Sequence, residues 1–596
     1  LAFGIGANTS MFNVVNGILL KPLPYPDLPQ LDRIYRVTAQ DDEGEFSAAD
    51  VRDLLQASGG YGEVTAYAVG DTSLSEPGHP AEMVRAVRVL PNFFPLLGVN
   101  PEHGRDFRPG EDAPGRDRVV LLSQRTWRVR FGARADVIGR TIRVDGEPHT
   151  IVGVLPESFN EWRHFGWVDI FRPLALTPAQ VTDRRTTFLR LMGRRPADRS
   201  RAESEGFIRN LGARLAAEHP EVNAASSWRV VDLQTVVVGK SGGESLTMLI
   251  GLSGFVLLIA CSNLANLLLA RTIARAREFA VRAALGASRL QLLRPLVAEA
   301  LVLSLAGGAG AILVALWTGE WLRVRSTGDN GEQVVFALDW HVLGWALGAS
   351  LLTAVAFGLA PALFAMRLDL NDTLKSGGRG TTGGRGHQRF RQLLIVGQFA
   401  LAMVLLAGAG LFIRGLDELS NRRAGWESRH LATGTILLPT AKYGDDAKVA
   451  AFHRLVLERL GALPGVASAS LASFTPFFNW DDIRKFVVEG RDRPEPGREP
   501  AAVVNAVSPD YFATVGTRVL AGRVFGERDT LGAVRAYLVS ESTARALFGT
   551  TDVVGRRLAS AEGDNPPWGE IVGVVGDVKS VMAEPLPVGN QVYVAL

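Results

Sequence analysis

The sequence predicts an α-helical transmembrane bundle carrying two α+β domains outside the membrane, the whole built by internal duplication. Three observations predict it. Two apolar runs of 23 residues, 248–270 and 296–318, flank an arginine-rich connector, 271–295. As helix each run is about 34 Å long at about 1.5 Å per residue, enough to cross a hydrocarbon core of about 30 Å. Two long polar stretches, 25–245 and 415–596, alternate with such runs, and segments of the first recur in the second at an offset that stays between 416 and 420.

At 596 residues the chain needs several cores. It is 47% hydrophobic yet 21% charged, so polar domains alternate with spans. A net charge of +3 is too small for a nucleic-acid binder, whose basic surface would show in the total. Arginine far outnumbers lysine, which reads as genome composition. The one cysteine, Cys261, lies in a predicted span, so no intramolecular disulfide exists and the outer domains must be held by their cores. The opening Leu1-Ala2-Phe3-Gly4-Ile5-Gly6 has no initiator methionine and no basic region, and is expected to begin within a helix rather than a signal peptide.

Residues 1–24 form a first span, stopped by Lys21-Pro22-Leu23-Pro24-Tyr25-Pro26. In the polar stretch 25–245, Asp50 to Gln56 reads as helix and Arg118 to Leu122 as strand. Ser123 caps a helix ending near Gly132, and Thr141 to Leu155 is a hairpin turning at Asp145-Gly146. Residues 246–366 hold the second, third and fourth spans. In the fourth, Gly344 and Gly348 have the spacing that lets helices approach closely, while Asn263 and Asn266 inside the second span read as interhelical hydrogen-bonding residues. Glu299, one turn into the third span, is placed to reach Arg294 or lipid headgroups. Residues 367–392, glycine-rich with six basic residues, are expected to be a flexible cytoplasmic linker before a fifth span at 393–414.

The duplication rests on paired segments. Val89-Leu90-Pro91-Asn92-Phe93-Phe94 matches Val507-Ser508-Pro509-Asp510-Tyr511-Phe512, and Gly104-Arg105-Asp106-Phe107 matches Gly522-Arg523-Val524-Phe525. Phe131-Gly132 matches Phe548-Gly549, Val137-Ile138-Gly139-Arg140 matches Val553-Val554-Gly555-Arg556, and Ile151-Val152-Gly153-Val154 matches Ile571-Val572-Gly573-Val574. Carried forward from the second span, the offset places three more helices from about position 666, so the sequence is expected to be a fragment at both ends.

The connector 271–295 is the most informative stretch. At helical spacing Arg271, Arg275, Glu278 and Arg282 share one face, with Ile273, Ala276, Ala280 and Ala284 on the other. Gly286 is placed to end this helix, Ser288 with Gln291 reads as a capping box for the next, and Pro295 should kink it. Six arginines against one glutamate put this elbow on the cytoplasmic side. For any single arginine the plainer reading is a topology signal alone.

The order Arg277-Glu278-Phe279-Ala280-Val281-Arg282-Ala283-Ala284-Leu285-Gly286-Ala287-Ser288-Arg289, with Ala260-Cys261-Ser262-Asn263-Leu264-Ala265-Asn266-Leu267-Leu268-Leu269-Ala270-Arg271 before it, resembles FtsX-like and MacB-like ABC transporter permeases, in particular their duplicated orphan branch. The resemblance implies a permease subunit of a bacterial plasma membrane that binds no cofactor of its own. It implies a separate MacB- or LolD-like ATPase partner that binds ATP, contact with membrane lipid, and room for a periplasmic partner protein. It makes Arg277, Glu278, Arg282, Gly286, Ala287 and Arg289 the candidate ATPase-coupling elbow, and the two polar domains MacB-like core domains. The runner-up is a membrane-anchored sensor or scaffold without ATP coupling.

Other motifs fail on their chemistry. Gly239-Lys240-Ser241 lacks the glycine five residues earlier that a phosphate-binding loop needs, Gln234 standing there. Gly239-Lys240-Ser241-Gly242-Gly243 fits the pattern of a nucleophile elbow, but it leads into a membrane span, and 64 glycines make chance matches easy. A membrane-bound hydrolase acting through Ser241 is therefore a distant third reading. The nine histidines have no ligand spacing for zinc.

Overall fold

The computed structural model describes residues 1–17, 21–38, 41–76, 81–159, 165–223, 226–238, 240–275, 278, 281–282, 285, 287–325, 340–353, 355, 385–421, 425–427, 429–475, 482–492, 499–526, 529, 535–561, 567–578 and 590–596. The chain divides into two compact units. One comprises Leu1–Pro24, Glu161–Trp167 and Asp232–Leu416; the other comprises Tyr25–Asn160, Val168–Val231 and Asp417–Leu596.

The first unit is helical: α1 (Ala2–Val15), α2 (Lys240–Ala274), α3 (Arg289–Arg325), α4 (Trp340–Thr353) and α5 (Arg385–Asn421). Thr247–Leu268, Val297–Arg325 and Ile395–Glu418 are long and apolar enough to cross a membrane; Trp340–Leu352 is a shorter apolar helix. Helix α1 ends in a wide turn, the Lys21 amide donating to the Asn16 carbonyl at 2.8 Å, before the prolines that cannot continue a helix. Small residues bed it against its neighbours. A Cβ at Gly4 would come within 2.5 Å of the Ala260 Cβ, and one at Gly6 within 2.8 Å of the Val314 Cβ. From the other side, a Cβ at Gly307 or Gly310 of α3 would come within 2.9 Å of the Leu1 Cβ or 2.8 Å of the Ala2 Cβ. Without a hydrophobic drive between helices in lipid, such close approach is what holds them.

Two expectations are corrected here. Helix α5 starts at Arg385, so 385–392 is helical rather than linker, because beyond Gly386 it holds no glycine or proline and Gln388, Arg389, Arg391 and Gln392 are good helix formers; 367–384 lies outside the described residues. Glu299 pairs with Arg271 rather than with Arg294.

The second unit contains two α+β domains. In the first the strands are β1 (Leu31–Val37), β2 (Phe46–Ser47), β3 (Glu63–Ser75), β4 (Glu82–Val89), β5 (His103–Gly104), β6 (Val119–Leu122), β7 (Thr141–Val144), β8 (Glu147–Val154), β9 (Ile170–Pro173), β10 (Thr187–Arg194) and β11 (Ser227–Asp232). In the second they are β12 (Ile483–Val488), β13 (Ala501–Val507), β14 (Val519–Gly522), β15 (Ala536–Ser540), β16 (Arg557–Ser560), β17 (Gly569–Val575) and β18 (Gln591–Ala595). Helix Ala48–Ala57, strand β6 and the β7–β8 hairpin turning at Asp145 and Gly146, both with positive φ, stand where the sequence places them. The helix after Ser123 is shorter than expected, ending at Val129, and the Ala133 amide closes the turn onto the Trp127 carbonyl at 3.0 Å.

Strand pairing makes the duplication physical. In the first domain β3–β4 is antiparallel, β4–β9 parallel, β9–β6 antiparallel, β6–β8 parallel, and β7 pairs with both β8 and β3, closing a ring of six strands with β5 appended to β8. In the second, β12–β13, β13–β18, β18–β15, β15–β17, β17–β16 and β16–β12 repeat this ring with the same senses, and β14 is appended to β17. Ring interiors agree position by position: Ala86, Val120, Leu122, Phe131, Val137, Ile142, Ile151, Val154 and Ile170 correspond to Val504, Tyr537, Val539, Phe548, Val553, Leu558, Ile571, Val574 and Val592. Gly104 and Gly522 share a positive φ, and a Cβ on either would overlap the carbonyl of Val152 or Val572, so only glycine fits. After them, Arg105 pairs with Glu111 and Arg523 with Asp529.

The remaining strands of the first domain, β1, β2, β10 and β11, build a second core with helices Ala48–Ala57 and Arg201–Glu218 around Ile34, Phe46, Leu54, Leu191, Ile208 and Trp228.

Candidate functional site

The elbow between α2 and α3 carries the candidate site. Ser288 caps α3 as the sequence predicts: its amide donates to Gln291 Oε1 at 2.8 Å while the Gln291 amide donates to Ser288 Oγ at 3.4 Å. These bonds satisfy two donors that a helix start leaves bare. Helix α3 then runs unbroken through Pro295.

Upstream, the charges that share a helix face meet. Arg275 Nε and Nη2 donate to the two Glu278 carboxylate oxygens at 3.0 and 3.3 Å, and Arg282 Nη2 lies 2.7 Å from Glu278 Oε1. The Arg275 hydrogen bond holds the Glu278 carboxyl below the usual glutamate range. Arg271 pairs with Glu299, tying the last turns of α2 to the first turns of α3. Beside this line Val281 and Leu285, four residues apart, are exposed, Leu285 at 83%. The elbow thus presents an apolar tip flanked by a guanidinium–carboxylate–guanidinium row, a surface that can seat in a partner's groove lined by apolar and acidic groups.

Of the sequence candidates, Glu278, Arg282, Ala287 and Arg289 fall within this elbow; Arg277 and Gly286 lie outside the described residues. Arg275, read from the sequence as part of the charged face, belongs to the same surface, as do Val281 and Leu285, which were not singled out by sequence. Their signal was their spacing from Glu278 and Arg282 on a single helix.

The membrane candidates are placed differently. Asn263 is exposed and Asn266 half-buried, and neither forms a hydrogen bond among the described residues. The interhelical bonds are made instead by Asn8, whose Nδ2 donates to Ser253 Oγ at 2.9 Å and whose Oδ1 accepts from Trp345 Nε1 at 2.9 Å. Gly344 and Gly348 face open space among the described residues, while Val342, Ala346 and Ser350 form the buried face of α4.

Among the described residues no His, Cys, Asp or Glu group is arranged to hold a metal ion. A cleft lined by Phe474, Asn505, Tyr511, Gln591 and Tyr593 has its polar groups engaged with one another: the Asn505 side chain bonds the Phe474 backbone in both directions and Tyr593 bonds Gln591.

Duplicated α+β domains, helices of membrane-spanning length and a charged elbow between two of those helices are the plan of a membrane permease. The family model for the MacB-like periplasmic core domain matches residues 1–211 and again 394–596, and that for the FtsX-like permease C-terminal matches 250–370. The chain belongs to the MacB/FtsX-like family of ABC transporter permeases. It is 26% identical over 373 residues to the macrolide export ATP-binding/permease protein MacB of Hahella chejuensis, covering 62% of this chain and 54% of that one. To the pyoverdine export ATP-binding/permease protein PvdT of Pseudomonas syringae pv. tomato it is 27% identical over 287 residues, 46% of this chain and 40% of the relative. The chain thus spans about half or less of the length of these relatives. Among solved structures it is similar to the periplasmic region of MacB from Actinobacillus actinomycetemcomitans, at 14% identity and a TM-score of 0.28, covering 38% of this chain and 95% of that one.

Proposed function

We propose that this protein is the transmembrane subunit of a bacterial plasma-membrane ABC transporter, and that it transmits ATP-driven motion from a nucleotide-binding partner to its two extracytoplasmic domains for export or force transmission. The observation that carries the reading is the elbow. A passive anchor needs no capped helical turn whose arginine–glutamate row and apolar tip lie exposed and whose base is pinned by Arg271 and Glu299. In this reading the elbow lies in the cytoplasm, the nucleotide-binding partner contributes all ATP chemistry, and the permease contributes a lever. The relatives named above join ATP-binding and permease parts under one name; here the ATPase acts as a separate subunit.

Docking through this surface makes a specific demand. Arg282→Glu places like charges beside Glu278, and Leu285→Ser removes the apolar tip; neither side chain is buried in the chain itself, so both variants should insert and melt as the wild type does. Each should lower stimulation of the partner's ATP turnover in the reconstituted complex at least about tenfold, the size expected when an interface anchor is lost. Wild-type turnover in both variants would leave the elbow a topology signal.

A further inference from the structure

Helix α1 connects to the first extracytoplasmic domain, and it is fastened to its neighbours in two physically different ways. Against α3 the fastening is steric. Gly6 lies on Val314, and Gly307 and Gly310 on Leu1 and Ala2, with Ile5, Ala311 and Ala315 buried along the seam. Close van der Waals packing over several turns has no intermediate state, so α1 and α3 form a fixed pair.

Against α2 there is also a steric point, Gly4 on Ala260, and Asn8 adds a polar one that reaches both α2 and α4. Asn8, 9% exposed, spends its Nδ2 on Ser253 of α2 and its Oδ1 on Trp345 of α4, and Phe12 one turn on stacks on the Trp345 ring at 4.6 Å with the planes 7° apart. A second tie lies where α1 leaves the bundle. Gln234, just before α2, accepts from the Leu23 amide at 3.0 Å and donates to the Lys21 carbonyl at 3.2 Å. An antiparallel pair of helices held at two points moves together. Hydrogen bonds between membrane helices are modest, about threefold in an equilibrium constant on average, so the Asn8 bonds can part and re-form while the close-packed glycines stay seated.

We propose that the Asn8 amide is the positioning joint through which displacement of α2 and α4 is passed to α1 and on to Lys21–Pro26. The inference rests on the permease reading, and it assigns that reading a residue outside the elbow. It makes Asn8 necessary for transmission but not for ATPase docking, because the elbow row and its Arg271–Glu299 base do not include it.

The test uses the full chain reconstituted with its ATPase in nanodiscs, with spin labels at Glu157 and Arg545, both exposed, and with Cys261 replaced by Ala. Wild type should show stimulated ATP turnover and a label distance that changes on ATP trapping. Asn8→Leu should keep the turnover and lose at least about two thirds of the distance change. Trp345→Phe keeps the ring on Phe12 but removes the donor, and Ser253→Ala removes the acceptor on α2; each should lose part of the change even where Asn8→Leu fails to fold. A distance change equal to wild type in Trp345→Phe and Ser253→Ala overturns the joint. Loss of turnover in step with the distance change also overturns it, since a merely structural defect would do that. Neither stimulation nor distance change in the wild type would instead sink the permease reading itself.

Discussion

Asp106 shows how one residue separates the two copies of a duplicated domain. It follows Gly104 and Arg105 at the edge of the first strand ring, its Oδ1 accepts from the Phe107 amide at 2.6 Å, and burial pushes its carboxyl up to about 6 from the ordinary aspartate value of 3.8. Its counterpart is Val524. With the folded pKa above the unfolded one, the native state binds the proton more tightly. Stability is fully present below about pH 4 and declines as pH rises through 6; beyond that the half-buried charge, partly screened by solvent, costs about 1–2 kcal/mol. Asp106→Asn keeps the acceptor and removes the charge, so it should stabilise the first domain by about 1–2 kcal/mol at pH 7.5 and leave it unchanged at pH 4. Hydrogen exchange of Val119–Leu122 and Glu147–Val154 in the full chain at the two pH values measures this; an equal effect at both would show that the charge is not the cause. At this scale the sequence was readable wherever a local rule operates. Ser123 announced the cap that its Oγ makes by accepting from the Thr126 amide, whereas the twin cap at Ser540 and the close backbone approach at Gly104 and Gly522 emerge from the structure. The raised carboxyl was not readable, because burial is a property of the closed ring and not of Gly104-Arg105-Asp106-Phe107.

Elements were legible in proportion to how local their signals are. The capping box at Ser288 and the Asp145-Gly146 hairpin were plain, since three or four neighbouring residues decide each. Helix faces in the bundle were hidden, because a segment apolar all round gives no clue to which side meets protein. Asparagines 263 and 266 therefore looked like the interhelical bonders, while the bonds belong to Asn8, Ser253 and Trp345, partners 245 and 337 residues apart. The same blindness affected glycine. The spacing of Gly344 and Gly348 suggested a packing face, yet among the described residues the crowded glycines of the bundle are Gly4, Gly6, Gly307, Gly308 and Gly310. This difference can be measured. Gly6→Leu must displace Val314 and should separate α1 from α3, with a loss of folded yield in detergent and faster proteolysis near Lys21; an overpacked site of this kind costs about 1–3 kcal/mol or more. Gly344→Leu meets nothing among the described residues and should leave both readouts within error. If the two variants behave alike, the bundle does not pack as described.

For the whole molecule, the repeat was the strongest signal in the sequence, and the matching strand rings confirm its reach from Val89 to Val154 and from Val507 to Val574. What the repeat does not fix is orientation. That rests on charge. Connector 271–295 carries six basic residues and segment 367–392 another six, against Arg323 and Arg325 alone in 319–340, so the positive-inside rule predicts the elbow in the cytoplasm and the strand rings outside it. The structure also shows where to probe. Ser288 caps a helix and the Ser542 hydroxyl is bonded to Asp577, so a cysteine at either would disturb what it reports on. Leu285 at the elbow tip and Ala546 on the exposed face of the helix Glu541–Phe548 are free of such roles. The native Cys261 is buried in α2 and contributes little background. In sealed cells an impermeant thiol reagent should label Ala546→Cys and spare Leu285→Cys, and Leu285→Cys should react once the membrane is opened and the nucleotide-binding subunit is stripped away. Labelling of Leu285→Cys in intact cells would invert the molecule and place the elbow where no nucleotide-binding subunit could reach it.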